Sequence, residues 1–220
     1  MTRETRETRV RIVLRTGAET AAARAGTGAA ETSAGAGAEG TAPETSAGAG
    51  AEGTAPETDV AVPRIDTTVP FLDHMLVTLS RYGGMHLEVD AAGDLRHHLI
   101  EDVAITLGLA LRRETPAACA RYGSATVPMD EALVHTALDL GGRFYYEGPV
   151  PSGLYDHFLR SFAEKAAMTL HVRVLRGRDR HHVVEAAVKA VGLSLRQALT
   201  PGGAVFSTKG GVQIIGEENS

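Results

Sequence analysis

The stretch RHHLIEDVAITLGLALRR, residues 96–113, recurs further along the chain as RHHVVEAAVKAVGLSLRQ, residues 180–197. At a constant offset of 84 positions, from His97 to His181, eight of the first seventeen columns are identical without a gap. In the first copy the identical columns are Arg96, His97, His98, Glu101, Gly108, Leu109, Leu111 and Arg112. Both histidines and the glutamate are among them, so the repeat indicates an internal duplication.

The spacing within each copy predicts metal ligands at the start of a helix. Residues three and four apart share a helix face, so Glu101 can lie beside His97 or His98. The two histidines diverge by about 100° around the helix, and they therefore suit two ions on opposite sides better than one. Imidazole with carboxylate leaves manganese, iron, nickel and zinc open. A pair of solvated histidines at a helix start is the alternative, and a second copy in register argues against it. The spacing is neither HExxH nor HxxEH, which excludes the zinc-protease motifs.

The bulk composition excludes several classes of protein. With 220 residues, 43% of them hydrophobic, and a net charge of −5, the chain suffices for one sizeable domain or two small ones. It has no basic run and no Trp, so we expect no nucleic-acid partner. It also lacks an apolar run of about eighteen residues and an N-terminal secretory segment, which predicts a cytoplasmic protein without a membrane span. The lone Cys119 agrees with a reducing compartment.

Residues 18–58 differ from the rest of the chain. They are almost wholly Ala, Gly, Thr, Glu, Ser and Pro, and ETSAGAGAEGTAP occurs at 31–43 and again at 44–56. Without large apolar residues such a segment cannot offset its ordering entropy, so we predict a disordered insertion. The remaining sequence is predicted to form a first half-repeat, a second half-repeat and a C-terminal tail, at residues 1–17 with 59–115, residues 116–210 and residues 211–220.

Hydrophobic periodicity predicts an α+β protein. Residues 5–14 alternate as one strand, residues 60–69 suggest an edge strand because of Pro63, and the segment after it suggests a helix in which Asp73 orients the ring of His74. Each half then consists of strand, strand, helix, strand, helix. We expect internally duplicated halves whose helices pack between two mostly antiparallel sheets. In the second half, Asp130 and Glu131 lie between two strands. They are expected to organise a turn or a subunit contact, and a second acid–base pair is the alternative.

A short motif near the C-terminus suggests phosphate binding. Ser207, Thr208 and Lys209 place hydroxyl groups, backbone N–H groups and an ammonium within one turn. The motif has low specificity when taken alone.

Seven motifs, in this order along the chain, resemble the imidazoleglycerol-phosphate dehydratase family, the manganese enzymes of histidine biosynthesis. They are PFLDHML, GDLRHHLIEDVAI, RYGSATVPMDEAL, DLGGR, TLHVRVL, HHVVEAAVKA and STKG. The resemblance covers residues 3–17 and 59–210. It implies four helices between two four-stranded sheets, two Mn²⁺ ions per subunit at subunit interfaces, and trimers that assemble into a 24-mer.

The resemblance also implies roles for individual residues. The metal ligands would be His74, His97, His98, Glu101, His171, His181, His182 and Glu185. The phosphate and hydroxyl groups of the substrate would bind Arg121, Arg143, Lys189, Ser207, Thr208 and Lys209. The residues taking part in catalysis would be Glu7, His74, Glu101, His171 and Glu185. Glu7 would be the base beside the substrate, with Glu57 as its rival, and His86, His135 and His157 would be ordinary surface or core residues.

The implied reaction is loss of water from imidazole-glycerol phosphate to give imidazole-acetol phosphate. A carboxylate such as Glu7 would remove a proton from carbon, metal ions would act as Lewis acids, and the phosphate would supply binding energy. An alternative is a catalytically impaired, metal-assembled paralogue, because the turn before Arg96 is shorter than in the family and Thr78 and Tyr82 replace a Gln and a His. A metal-storage protein is a third reading, but it would not need the Arg and Lys positions.

Overall fold

The computed structural model of the protein describes residues 1–16 and 63–202. Within them the first half of the chain forms four strands and two helices, and the second half forms the same set. The first-half elements are β1 (Thr2–Glu4), β2 (Thr8–Arg15), β3 (Arg64–Asp66), α1 (Pro70–Gly83), β4 (His86–Gly93) and α2 (Arg96–Glu114). The second-half elements are β5 (Tyr122–Met129), β6 (Ala132–Asp139), β7 (Tyr145–Glu147), α3 (Gly153–Ala166), β8 (Thr169–Arg176) and α4 (Arg180–Ala198).

The two sheets have the same strand order, β1-β2-β4-β3 and β5-β6-β8-β7. In each sheet the first three strands are antiparallel neighbours, while the fourth pairs in parallel with the third. The expected duplication and the α+β architecture are therefore confirmed, with each sheet mixed through its last strand. β3 lies at a sheet edge, as Pro63 suggested.

The helices pair across the two halves. Helix α1 packs on α4, and α3 packs on α2, while α2 contacts β2 and α4 contacts β5 and β6. The repeated glycines permit this close packing. A Cβ on Gly108 would lie 2.5 Å from the Phe162 carbonyl oxygen of α3, and one on Gly192 would lie 2.8 Å from Tyr82 Cβ in α1. The identity of these two positions in the repeat thus reflects two equivalent helix crossings.

One hydrophobic core spans both halves. Val10 and Ile12 of β2 are fully buried, as is Val134 of β6, because alternate residues of these strands face the helices. Burial of each such side chain contributes roughly 1.5–3 kcal/mol. The halves consequently depend on one another for burial.

The structure differs from the predicted element pattern in two places. Residues 5–14 are not one strand, because the chain turns at residues 5–7 between β1 and β2. Each half has three strands before its first helix, where the periodicity suggested two. Short edge strands of three residues give too few alternations to be seen in the sequence.

In the described ranges, none of the helices is long and apolar enough to cross a membrane. The predicted insertion at 18–58 and the tail at 211–220 lie outside the described residues.

Candidate active site

Each long helix begins with its histidine pair. Helix α2 starts at Arg96 and α4 starts at Arg180, so both HHxxE motifs occupy the first turns. In α4 the side chain of Asp179 caps the helix by accepting a hydrogen bond of 2.7 Å from the backbone N–H of His181. The first histidine of each pair meets a histidine from a short helix, and the second faces a turn of the neighbouring sheet.

The α1–α4 cluster consists of His74, His181 and Glu185. Glu185 Oε2 lies 3.2 Å from His74 Nε2 and 3.1 Å from His181 Nε2. The two imidazole rings are stacked, with centroids 6.1 Å apart and an interplanar angle of 19°. The Glu185 side chain is only 8% exposed. A buried carboxylate oxygen therefore lies between two imidazole nitrogens.

The α2–α3 cluster consists of His97, Glu101 and His157. His157 Nε2 lies 3.2 Å from Glu101 Oε1, and His97 Nε2 lies 3.7 Å from Glu101 Oε2. The His97 and His157 rings are stacked, with centroids 5.5 Å apart and an interplanar angle of 18°. The cluster repeats the α1–α4 arrangement, with a histidine from the short helix and a histidine–glutamate pair from the long one.

His157 is the site residue that the sequence reasoning missed. It lies 83 positions after His74, and each of these histidines follows an aspartate near the start of a short helix. Neither aspartate orients its neighbouring histidine, contrary to the expectation for Asp73. Asp73 accepts hydrogen bonds from the backbone and hydroxyl of Thr67, while Asp156 accepts from the Tyr146 hydroxyl and the Val150 backbone. The paired Asp-His dipeptides were the signal that could have identified His157.

His171 lies apart from these clusters. It is an exposed residue of β8, where its register partners are Ala137 and Glu147 and its ring packs against Tyr145 with centroids 5.3 Å apart. None of the three clusters of potential ligands among the described residues includes it.

The chemistry of the two helix clusters fits divalent metal ions. Each offers two imidazole nitrogens and a carboxylate, the mixed donor set that suits ions such as manganese. Two donor atoms that each lie about 2.1 Å from one ion, at a right angle, are about 3 Å apart. The shorter nitrogen–oxygen distances in the two clusters, 3.1 and 3.2 Å, are close to this value. His157 Nε2 is inaccessible to solvent and makes no hydrogen bond, despite its closeness to Glu101. A metal ion held by this cluster would satisfy the unpartnered buried nitrogen.

The second histidine of the first pair belongs to a hairpin cluster of Glu7, Asp94 and His98. His98 Nδ1 lies 2.9 Å from Glu7 Oε2 and 3.7 Å from Asp94 Oδ1. This nitrogen is buried, but it is not oriented to form a hydrogen bond with either carboxylate. The Glu7 side chain is 56% exposed. Glu7, His98 and Glu101 line a cavity of about 270 Å³, which places the predicted base beside the α2–α3 cluster.

The second histidine of the second pair meets the β5–β6 turn. His182 Nδ1 lies 2.7 Å from Glu131 Oε2, and its Nε2 lies 3.4 Å from Asp130 Oδ2. The other oxygen of Glu131 accepts hydrogen bonds from the backbone N–H groups of Asp179 at 2.7 Å and Arg178 at 3.0 Å. The Asp179 N–H, followed by His182, lowers the pKa of Glu131 to about 2. Asp130 and Glu131 thus form a turn, as expected, and Glu131 is held as a carboxylate.

Lys189 lies next to the α1–α4 cluster. Its Nζ is 2.9 Å from Glu185 Oε1 and 5.6 Å from the centre of the Tyr82 ring. Burial alone would raise the pKa of Glu185, but hydrogen bonds from Lys189 and His74 outweigh it and leave that pKa lowered. Burial would lower the pKa of Lys189, and its bond to Glu185 reverses the effect. A charged ammonium is therefore available beside the cluster.

The predicted phosphate ligands Arg121 and Arg143 lie far from the helix starts. The Arg121 backbone N–H bonds the carbonyl of Ala198 at the end of α4, about 25 Å along the helix from His181. The Arg121 guanidinium makes two bonds to Asp139, of 2.6 and 2.9 Å. The carbonyl of Arg143 accepts from Thr169 at the start of β8, a strand that runs about 23 Å toward α4. One protomer does not bring these arginines to its own clusters.

Four predicted residues lie outside the described residues. They are Glu57, Ser207, Thr208 and Lys209.

A family model described as imidazoleglycerol-phosphate dehydratase matches residues 67–195. The imidazoleglycerol-phosphate dehydratase of Pyrobaculum aerophilum is 47% identical over 163 residues, covering 66% of this chain and 86% of that protein. The one of Archaeoglobus fulgidus is 43% identical over 156 residues, covering 68% of this chain and 87% of that protein.

Solved structures of the same enzyme are also similar. The enzyme from Pyrococcus furiosus, in complex with (S)-C348, superposes with a TM-score of 0.70 at 29% identity, covering 96% of this chain and 100% of that one. The enzyme from Staphylococcus aureus gives a TM-score of 0.59 at 32% identity, covering 65% of this chain and 90% of that one.

Proposed function

The chain belongs to the imidazoleglycerol-phosphate dehydratase family of hydro-lyases in histidine biosynthesis, and on that premise we propose that it converts imidazole-glycerol phosphate to imidazole-acetol phosphate and water with two Mn²⁺ ions per subunit. The observation that carries the proposal is the pair of matching clusters, one at each helix crossing. We propose a cytoplasmic location, in keeping with this biosynthetic role.

The proposed metal ligands follow the clusters. His74, His181 and Glu185 would hold one ion, and His97, Glu101 and His157 would hold the other. His157 replaces His171 in this set because of its position. His98 and His182 stay in the set as ligands to ions of neighbouring subunits, since their rings turn away from the clusters of their own helices. The ions, when bound, would act as Lewis acids that stabilise the negative charge developing during dehydration.

Glu7 is the proposed general base. Its exposed carboxylate faces the cavity shared with Glu101, so it can reach a substrate bound at the α2–α3 cluster. The proton removed comes from carbon and is weakly acidic, so a positioned base is needed as hydroxide leaves. Lys189, charged beside the other cluster, is the proposed partner for an anionic group of the substrate.

The distant arginines support self-association. Arg121 and Arg143 lie at the opposite end of α4 from His181, and so they would contact the substrate phosphate only in a site completed by another copy of the chain. We propose that Ser207, Thr208 and Lys209 join them there. Trimers that assemble into a 24-mer through the metal sites are the proposed assembly.

The impaired paralogue remains the second candidate, favoured by the short turn before α2 and by Thr78 and Tyr82. Asp94 and Leu95 alone separate β4 from α2, yet the turn still places His97 and His98 in their clusters. Thr78 is buried, and its hydroxyl donates to the His74 carbonyl at 2.8 Å. Tyr82 lies beneath the Lys189 ammonium. These contacts fit an active enzyme better than a damaged one.

The test combines metal content with turnover of the full-length protein. Manganese is measured per chain after gel filtration, and formation of imidazole-acetol phosphate is followed with and without a chelator. We expect two ions per chain and turnover that the chelator abolishes and added Mn²⁺ restores. Two ions without product would favour the paralogue, and rescue of a histidine auxotroph lacking the dehydratase step would exclude it.

A further inference from the structure

The turn that carries Glu7 is tied to α2 through one buried carboxylate, that of Asp102. Asp102 Oδ1 accepts a hydrogen bond of 2.8 Å from Arg3 Nε, and Oδ2 accepts one from the hydroxyl of Thr8. Arg3 lies in β1 and Thr8 in β2, on either side of the turn. Asp102 is 8% exposed and Thr8 is 4% exposed. One side chain of the helix therefore holds both arms of the hairpin.

Within the turn, Thr5 extends this contact to Glu7. Thr5 Oγ1 accepts from the backbone N–H groups of Glu7 at 3.2 Å and Thr8 at 3.0 Å, and it lies 2.9 Å from Thr8 Oγ1. The Thr5 N–H donates to the Thr8 carbonyl at 2.9 Å. The backbone of Glu7 is thereby fixed relative to Thr8, and Thr8 is fixed relative to Asp102.

Asp102 also shares a rigid element with the residues that Glu7 faces. It follows Glu101 directly and lies one helical turn after His98, whose Nδ1 is 2.9 Å from Glu7 Oε2. We propose that Asp102 is a positioning residue that sets the distance between the Glu7 carboxylate and the metal-binding face of α2. This inference rests on the proposed function of Glu7 as the base.

The second half of the chain has no carboxylate at the position equivalent to Asp102. The residue equivalent to Asp102 in the repeat is Ala186, which is fully buried in α4. Helix α4 has the same length as α2, so the carboxylate is not needed to form the helix. A buried carboxylate is costly unless it is hydrogen-bonded, so a carboxylate at this position of the repeat in α2, where α4 has alanine, indicates a specific task.

The first experiment is Asp102→Asn in the full-length, manganese-loaded protein. Asparagine keeps one neutral acceptor oxygen and offers an N–H donor in place of the second, so the bond to Arg3 loses its charge and the Thr8 hydroxyl can no longer donate to this side chain. We expect kcat to fall by about 10- to 100-fold, because small misplacement of a catalytic group has effects of this order. KM and manganese content should stay within about two-fold. The matched control is Thr136→Val, which removes a buried 2.8 Å contact to Ser194 in the second half and should leave kcat unchanged.

A double-mutant cycle separates positioning from general damage. In a Glu7→Gln background, Asp102→Asn should cause no further fall in kcat, because both changes act through the same carboxylate. A further fall of about ten-fold would overturn the proposal. Thr8→Val should lower kcat as much as Asp102→Asn does. Thr8→Ser, which keeps the hydroxyl, should have the kcat of the wild type.

Hydrogen exchange gives a readout that does not depend on turnover. Exchange in a peptide covering residues 1–10 should be faster in Asp102→Asn than in wild type or Thr136→Val, because the turn opens more readily. If exchange in this peptide is unchanged, the proposed positioning role of Asp102 is overturned. If the wild type forms no imidazole-acetol phosphate, the proposed function fails. If the wild type is active and Glu7→Gln is not, but Asp102→Asn retains full kcat, only the positioning role fails.

Discussion

Glu7 and Glu131 occupy equivalent turns in the two halves, and their surroundings differ. Each follows the first strand of its sheet and faces the second histidine of an HHxxE motif. Glu131 uses both oxygens, one for His182 and one for two backbone N–H groups. The Glu7 carboxylate lies 2.9 Å from His98 Nδ1 but accepts no backbone N–H group of the described residues, and the strands on either side of its turn bond Asp102.

This difference shows how a duplicated scaffold can yield two distinct roles. The low pKa of Glu131 and the hydrogen bonds to both of its oxygens make it a poor proton acceptor, but they suit it to orienting the His182 ring. Glu7 keeps an exposed carboxylate beside a cavity and can serve a substrate. The helix clusters changed little, whereas the turns diverged.

The largest effect is expected at Glu7, in the turn of the first half. Glu7→Gln should lower kcat by about 1,000-fold, in the range found when a general base is removed. Manganese content should remain at two ions per chain, because Glu7 is not a ligand of either helix cluster. Steady-state kinetics with metal analysis checks this, and a loss of less than ten-fold would contradict the role of Glu7.

The next effect tests whether the helix clusters are equivalent. His157→Ala should remove one of two manganese ions per chain and reduce activity by at least about 100-fold, since a ligand matters at least as much as its supporting partners. His171→Ala is the control and should retain both ions, because His171 lies on β8 outside the clusters. Metal analysis of the two variants gives the answer. Loss of metal in His171→Ala alone would restore the ligand set inferred from the sequence.

A smaller effect is expected at the turn of the second half. Glu131→Gln keeps the shape of the side chain but weakens the bond that orients His182. We expect about 10-fold weaker manganese binding, at the low end of effects for residues that support a metal ligand, with kcat at saturating Mn²⁺ nearly unchanged. Titration with Mn²⁺ measures it. A fall in kcat as large as that of Glu7→Gln would mean that the two turns share one role.

The smallest effect compares the helix crossings. Gly108→Ala and Gly192→Ala should each destabilise the protein by about 1–3 kcal/mol, because the added methyl group meets backbone atoms of the partner helix. Gly153→Ala, where a Cβ meets nothing within 4 Å, should be neutral or stabilising by up to about 1 kcal/mol. Urea unfolding at one protein concentration compares them. Equal midpoints for all three variants would contradict the close crossings.

The sequence predicted the parts of the fold that repeat at long range. The HHxxE copies revealed the duplication, both long helices and four of the six helix-cluster ligands, because chemistry and spacing recur together in them. The crossed pairing of α1 with α4 and of α3 with α2 was not predictable, since it depends on which apolar faces meet in three dimensions. The three-residue edge strands were likewise too short to show a period.

The choice between His157 and His171 shows the same limit. In sequence, each is a single histidine in an amphipathic element, and His171 is the nearer to the second HHxxE motif. Only the packing of α3 on α2 brings His157 to Glu101, while the strand direction leaves His171 exposed beside Tyr145. The positions of Arg121 and Arg143 at the far end of α4 could not be predicted either, because their motifs carry no information on the distance from the helix starts.

Anomalous diffraction at the manganese edge, from crystals of the full-length protein grown with Mn²⁺, tests the central claim most directly. Two peaks per chain are predicted, one among His74, His181 and Glu185 and the other among His97, Glu101 and His157. A single peak, or peaks centred on His171 with the helix clusters empty, would contradict the account.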